Sequence, residues 1–362
     1  MRATVIVFLA LVACREDGSS SSRKTDAPSG STQARSGSNA TRSGGSNGAS
    51  SAHGGGSNRT TNGSGSNSGA NIASDPWAAP PANPDDPPSL AERHKLAELA
   101  CPTVASPYFY RIEKNGKTSH ILGTRHISVP LSKFPKPVHE AIASASLAVF
   151  EVAPDDDADE KPKKLSLPDA LGPDLWTRYR KLVGTETADG LAHAEPSQAL
   201  IMMIVMYEDI GAMLDMEIER TVQAAQIPTA GLESSLFQDR LLNKLLDLRM
   251  LKATVEHTKD RAELADESRK DLAEYCAGTD DTPGMDDDMR KDLEESGYTR
   301  AEIDSIDEQM VFKRNASWIP KLEKLFKQDK VFVAVGADHL SGPRGVVALL
   351  AKRGFTVTRV TK

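Results

Sequence analysis

The feature that most limits what this chain can fold into is a stretch of low complexity. Residues from about 15 to 75 are dominated by Ser, Gly, Asn and Thr, as in "SGSNATRSGGSNGASSAHGGGSNRTTNGSGSNSGAN". So few apolar side chains cannot offset the entropy of ordering a backbone, so this part reads as a flexible arm. The core must come from the remainder of the 362 residues, which is long enough for one large domain or two small ones. The net charge of -7 is modest. The few charges in the arm lean basic, so the acidic balance belongs to the C-terminal part, and nothing suggests a nucleic-acid footprint.

Before the arm, "MRATVIVFLALVAC" carries one Arg, an apolar run of about ten residues and small residues ahead of Cys14. A bilayer span needs about 20 apolar residues, so this run suits a signal-peptide h-region instead. Leu11, Val12, Ala13 and Cys14 resemble the bacterial lipobox, in which the cysteine is lipidated and becomes the mature N-terminus. The alternative is an ordinary signal peptide with Cys14 incidental; either way the rest of the chain is exported. With a lipid on Cys14, an arm of about 60 residues reaches on the order of 40–45 Å, which tethers the domain near a membrane without laying it on the surface. The expected organisation is therefore a signal peptide over 1–14, a linker over 15–90 and a folded domain over 91–362. Export also permits a disulfide between Cys101 and Cys276, although spacing in sequence cannot bring them together.

Past the Pro-rich "DPWAAPPANPDDPPS", "LAERHKLAELACP" predicts a short helix that stops at Pro102 and docks on the main domain. "YFYRIEKNGKTSHILG" predicts two strands joined at Asn115-Gly116, a strong hairpin signal. "PKPVHEAIASAS" reads as a helix and "LAVFEVAP" as a short apolar strand interrupted by Glu151. From about Asp169 to Lys327 the apolar spacing of three and four predicts helices, with "SQALIMMIVMYEDI" and "GAMLDMEIERTVQAAQ" forming one apolar helical run. Its methionines read as core packing or a forgiving apolar surface rather than a metal site. The acidic stretches "DDDADE" and "DDTPGMDDDM" read as solvated loops without EF-hand spacing. The chain closes on strand, turn, helix and strand: "KVFVAVG", "ADHLSG", "PRGVVALLAKRG", "FTVTRV". The predicted class is α/β, a mixed β-sheet built from N- and C-terminal strands with a large inserted helical region.

That arrangement gives a possible site. "GTRH" and "GADH" each place a histidine, His126 and His339, three residues after a glycine that ends an apolar strand. Glu151 lies inside a strand, where an unpaired carboxylate costs several kcal/mol. If the strands are neighbours, two imidazoles and one carboxylate converge, a donor set known from zinc hydrolases and non-haem iron enzymes. A single Gly-x-x-His is a weak signal and a turn histidine is its bland explanation; patterning alone leaves both readings open. No HExxH or Gly-x-Ser-x-Gly is present.

"YRIEKNGKTSHILGTRHIS", "LAVFEVA", "GLESSLFQ", "KRNASWIPKL" and "FVAVGADHLSGPRGVVALLAKRGFTVTRV" together resemble the TraB/GumN family, related to the TIKI metalloproteases. The resemblance covers roughly residues 105 to 362. It implies metal ligands at His126, Glu151 and His339, a divalent ion such as Zn, Mn, Co or Fe, and hydrolysis of a peptide or protein substrate in the cell envelope. It also implies catalytic roles for Arg314 in "KRN", as an oxyanion or carboxylate partner, and for Glu233 in "GLESS", as a ligand-orienting partner or general base. Gln238 is a weaker candidate. Arg125 and Asp338 precede the two histidines, and Asp338 either orients an imidazole or faces solvent. Because related lipoproteins bind haem and some TraB-type proteins damp peptide signals, a non-catalytic haem- or peptide-binding lipoprotein is the alternative.

Overall fold

The computed structural model describes residues 89–154, 156, 165–258, 260–279 and 283–361. Cys14, the signal peptide, the linker up to Pro88 and the stretch "DDDADE", apart from Asp156, lie outside the described residues. A first helix, α1 (Leu90–Ala100), is capped by Ser89, whose hydroxyl accepts from the Glu92 N–H. Arg93 fixes this helix, donating from Nε to the Glu208 carbonyl at 2.9 Å and from Nη2 to that of Val205 at 2.5 Å. Just past its end, Cys101 forms a disulfide with Cys276.

The sheet runs in the order Thr229–Glu233 (β6), Leu147–Val152 (β4), Val331–Gly336 (β7), Lys117–Thr124 (β2), Phe109–Lys114 (β1) and Thr356–Arg359 (β8). Strands β1 (Phe109–Lys114) and β2 (Lys117–Thr124) form the expected hairpin. Asn115 and Gly116 take φ of 52° and 72°, the pair of positive values that a two-residue type I′ turn requires. A two-residue strand β3 (Ile127–Ser128) pairs with β5 (Ala212–Met213) outside the main sheet. Helix α2 (Lys136–Ala143) then leads to β4 (Leu147–Val152). The last two members, β7 (Val331–Gly336) and β8 (Thr356–Arg359), come from the C-terminal unit. Strands β4 and β2 flank β7 in parallel and β6 is parallel to β4, whereas β1 is antiparallel to both β2 and β8. The mixed α/β class expected from the sequence is the observed one.

Two expectations change. The run through "IPTAGLES" contains a strand, β6 (Thr229–Glu233), that joins the sheet edge next to β4. The apolar run ahead of it is not one helix. It breaks between Pro196–Val205 and Leu214–Ala224, because Glu208 and Asp209 are buried there and meet arginines from distant segments.

The helices between β4 and β6 are α3 (Leu167–Leu171), α4 (Pro173–Val183), α5 (Thr185–Gly190), α6 (Pro196–Val205) and α7 (Leu214–Ala224). Those after β6 are α8 (Ser235–Leu245), α9 (Leu248–His257), α10 (Arg261–Ala277), α11 (Asp287–Glu295), α12 (Arg300–Asp307) and α13 (Lys313–Leu325), and α14 (Val346–Lys352) joins β7 to β8. The second half of "DDTPGMDDDM" is not a plain loop: Asp286 caps α11 by accepting from the Met289 N–H, and Asp287 and Asp288 fill its first turn.

Buried apolar residues form two cores. One packs both faces of the sheet around Ile121, Leu122, Val149, Phe332 and Val333; the other lies among the helices around Tyr179, Leu200, Met250 and Leu251. Ile127 belongs to the helical core and Val129 to the sheet core, so the segment after His126 crosses from one to the other. No helix of the described residues is long and apolar enough to cross a membrane.

Candidate functional site

Four parallel strands, β6, β4, β7 and β2, deliver their carboxyl ends to one side of the sheet, the side on which open α/β sheets hold ligands. Glu233 ends β6, Glu151 is the penultimate residue of β4, and His339 and His126 follow β7 and β2 by a short turn each.

Gly123 allows the β2 turn. A Cβ there would lie 2.8 Å from the Tyr108 Cβ, 2.9 Å from Leu340 Cδ1 and 3.0 Å from the Ala337 Cα, so only glycine lets β2 approach the turn that carries His339. From outside, the Tyr275 hydroxyl donates to the Gly123 carbonyl at 2.9 Å. The β3–β5 ladder then brings the start of α7 beside the histidine: Leu214 N–H donates to the His126 carbonyl at 3.0 Å, and the Asp215 carboxylate pairs with His126 Nδ1. Burial acts to lower the His126 imidazole, but Asp215, by charge and hydrogen bond, and then Glu151 outweigh it, and the net shift is upward.

Arg125, one residue earlier, takes a different partner. Its Nη2 donates to Glu208 Oε2 at 2.6 Å, the same oxygen that accepts from the Ser268 hydroxyl at 2.7 Å. Asp338 is buried rather than solvated, and its charge reaches Arg125.

His339 sits in a 3-10 turn and is 1% exposed. Arg314 Nη1 donates to its Nε2 at 3.2 Å, so Nδ1 carries the proton and donates to Asn315 Oδ1 at 2.5 Å. Burial, followed by the charges of Arg314 and His126, holds His339 well below the ordinary histidine range, so it is neutral. The Trp318 ring packs against this imidazole with centroids 4.4 Å apart.

Arg314 is 2% exposed and links the remaining residues. It lies just past a π-helical turn, Glu308–Phe312, between α12 and α13, a local widening common at functional sites. Its Nη2 donates to Glu151 Oε2 at 2.6 Å and to Glu233 Oε1 at 2.5 Å, its Nε donates to both Glu233 oxygens, and its Nη1 also reaches the Met310 carbonyl. Burial would lower the guanidinium, but Glu233 and Glu151 reverse that and keep it charged. Glu233 further accepts from Trp318 Nε1 at 3.2 Å and from Gln238 Nε2 at 3.3 Å. Glu151 Oε1 accepts the Gly336 N–H at 2.8 Å and stands 4.0 Å from His339 Nε2. Burial pushes the Glu151 carboxyl up to about 7, against the pull of Arg314 and His126 and with a smaller push from Glu233.

The structure therefore brings together the five residues expected as ligands or catalytic groups, His126, Glu151, His339, Glu233 and Arg314, and Gln238 with them. His126 is near enough for its charge to bear on both Glu151 and His339. Among the described residues, however, the three-residue group whose donor atoms all lie within 4.8 Å of one another is His257, Asp292 and Glu295, not the sheet-end trio. The Arg314 guanidinium, set against both His339 and Glu151, occupies part of that space. Sequence reasoning missed Asp215 and Asn315, the acceptors that fix the two imidazoles. Asn315 was within reach as the neighbour of Arg314 in "KRN"; Asp215 carries no local signal.

A family model described as the TraB/PrgY/gumN family matches residues 108–359, well over half of the chain, and the chain belongs to that family. No curated protein and no solved structure matches it.

Proposed function

We propose that this member of the TraB/PrgY/gumN family is an exported hydrolase, tethered through a lipid on Cys14, that cleaves peptide bonds in the cell envelope with the help of a divalent ion held by His126, Glu151 and His339. The observation that carries this reading is the anchoring of both imidazoles. The Nδ1 of each is held by an oxygen on a neighbouring helix, Asp215 Oδ2 and Asn315 Oδ1, which would leave Nε2 of each ring as the nitrogen to face an ion. A carboxylate or amide oxygen behind a ligating imidazole is the usual support of metal sites. Two imidazoles and a carboxylate suit a first-row ion, and the Arg314 Nη1 contact with His339 would have to yield to it. When bound, such an ion would lower the pKa of water and polarise a carbonyl.

The remaining steps fall to the chain itself. Glu233 is saturated by N–H donors from Arg314, Trp318 and Gln238, so its part is to hold the guanidinium rather than to take a proton. Arg314, buried and charged, has its N–H groups committed to Glu151, Glu233, the Met310 carbonyl and His339, so only the Nη1 N–H that an ion would release from His339 could turn to a substrate carboxylate or a developing oxyanion. Glu151, pushed up to about 7, exchanges its proton near neutral pH, so loading with an ion depends on pH.

The second reading, a non-catalytic haem- or peptide-binding protein, rests on the guanidinium that faces His339 Nε2. Metal analysis under chelator-free preparation, followed by cleavage of a peptide library, separates the two. The ion count should fall by one in His126→Ala and in His339→Ala, with loss of cleavage. An unchanged count refutes the metal site, and a Soret band on haem titration that disappears in His126→Ala supports the second reading.

A further inference from the structure

A second group of ligand-type side chains lies in the helical half, with no residue in common with the sheet-end cluster. His257 is the last residue of α9, and Asp292 and Glu295 stand three apart in the closing turns of α11. That spacing puts both carboxylates on one face of the helix. Their donor atoms and a ring nitrogen of His257 all lie within 4.8 Å of one another. His257 Nδ1 and Glu295 Oε2 are 3.8 Å apart, too far for a hydrogen bond. Two ligands each about 2.1 Å from a tetrahedral ion are separated by roughly 3.4 Å, so the observed gap is near what a shared ion spans. The other oxygen of Glu295, Oε1, faces Lys291 Nζ at 3.6 Å, leaving Oε2 on the His257 side. Both helices also direct their carboxyl ends, where the dipole is negative, towards this group, which favours a cation.

We propose that His257, Asp292 and Glu295 form a separate binding site for a borderline divalent cation of the Zn2+ class. The imidazole selects such ions over Ca2+ and Mg2+, which prefer all-oxygen shells. Glu295 is about half exposed, so water completes the coordination. The ion clips α9 to α11, whose inner faces, Met250 and Leu251 on one and Met289 and Leu293 on the other, belong to the helical core. Its role is structural and it does not depend on the reading of the sheet-end site.

The test is a Zn2+ count and a thermal melt with and without Zn2+ on the untagged full-length chain, compared with His257→Ala and Glu295→Gln. The expected result is a loss of one bound ion in each variant and loss of the Zn2+-dependent rise in Tm. Because Glu295 is exposed, its substitution tests the site without disturbing the fold. A wild-type count of two that falls to one in His257→Ala and to one in His126→Ala supports both sites. A count of one that falls to zero in His257→Ala but not in His126→Ala supports this site and places no Zn2+ at the other. A count that His257→Ala and Glu295→Gln leave unchanged overturns the proposal.

Discussion

The clearest physical consequence of the sheet-end cluster is a pH-dependent stability that one substitution should remove. Folding moves the Glu151 carboxyl from 4.5 to about 7. The folded state therefore holds a proton that the unfolded chain has already lost across that range. By linkage, the ion-free protein loses about 3 kcal/mol of stability as pH rises from about 4.5 to about 7, because the charged carboxylate is the buried form that burial penalises. His126, whose folded value is raised, contributes in the same direction, with stability lost as pH passes upward through that value. His339 acts oppositely, since its lowered value makes the fold lose stability as pH falls through the ordinary histidine range. Glu151→Gln keeps the shape but cannot titrate, so the difference between wild type and variant isolates the carboxyl. Urea unfolding in the presence of a chelator at several pH values between 4.5 and 8 measures it. The wild type should lose about 3 kcal/mol relative to Glu151→Gln across this range. Parallel stability curves would refute the reasoning, because they would mean that Glu151 enters the fold with an ordinary affinity for protons.

Three other outcomes follow from the same geometry. Asp215→Asn removes the charge that fixes His126 Nδ1, and isothermal titration should give divalent-ion affinity at the sheet-end site lower by about 10–100-fold while the His257 site is unaffected. Gly123→Ala forces a Cβ to within 3.0 Å of Tyr108, Leu340 and Ala337, and denaturation should register a loss of about 1–3 kcal/mol. Replacing Cys101 and Cys276 by serine opens a crosslink spanning 175 residues, and the unfolding free energy should drop by about 2–5 kcal/mol, matched by the wild type under reducing conditions.

What the sequence made legible were features whose signal is local. The Asn115-Gly116 turn states its own conformation, and the Gly-x-x-His turns follow apolar strands that need no knowledge of their neighbours. Strand β6 was not legible. It carries Gly231 in its centre, only Leu232 is fully buried, and its pairing with β4 depends on a parallel neighbour about eighty residues away. The break between α6 and α7 was hidden for the opposite reason: Met and Ile continue the apolar pattern through "IMMIVMYEDI", and the carboxylates that end it find their arginines at Arg125 and Arg269. Asp215 owes its place beside His126 to a ladder of two residues per strand, too short to leave a period.

The energetics of the cluster bear on its purpose. His126, Asp215, Glu151, Arg314, Glu233 and His339 come from six separate segments, and the side chains of all six are at most about a tenth exposed. Removing such groups from water costs several kcal/mol per ion, and a well-packed apolar set of the same volume is often as stable or more so. Stability alone therefore does not account for six polar side chains converging at the carboxyl ends of four parallel strands. The surrounding fold is also built to hold them still. Gly123 permits the close approach of two turns, Tyr275 supports one of them, and the π-helical turn ahead of α13 leads directly into Arg314. Each carboxylate faces a cation or imidazole, yet the compensation is partial, because Arg314 and His126 do not cancel the burial that pushes the Glu151 carboxyl up to about 7. The Arg314 hydrogen bond to His339 Nε2 is the contact that the proposed ion would have to displace, so under that reading the guanidinium moves when the ion binds.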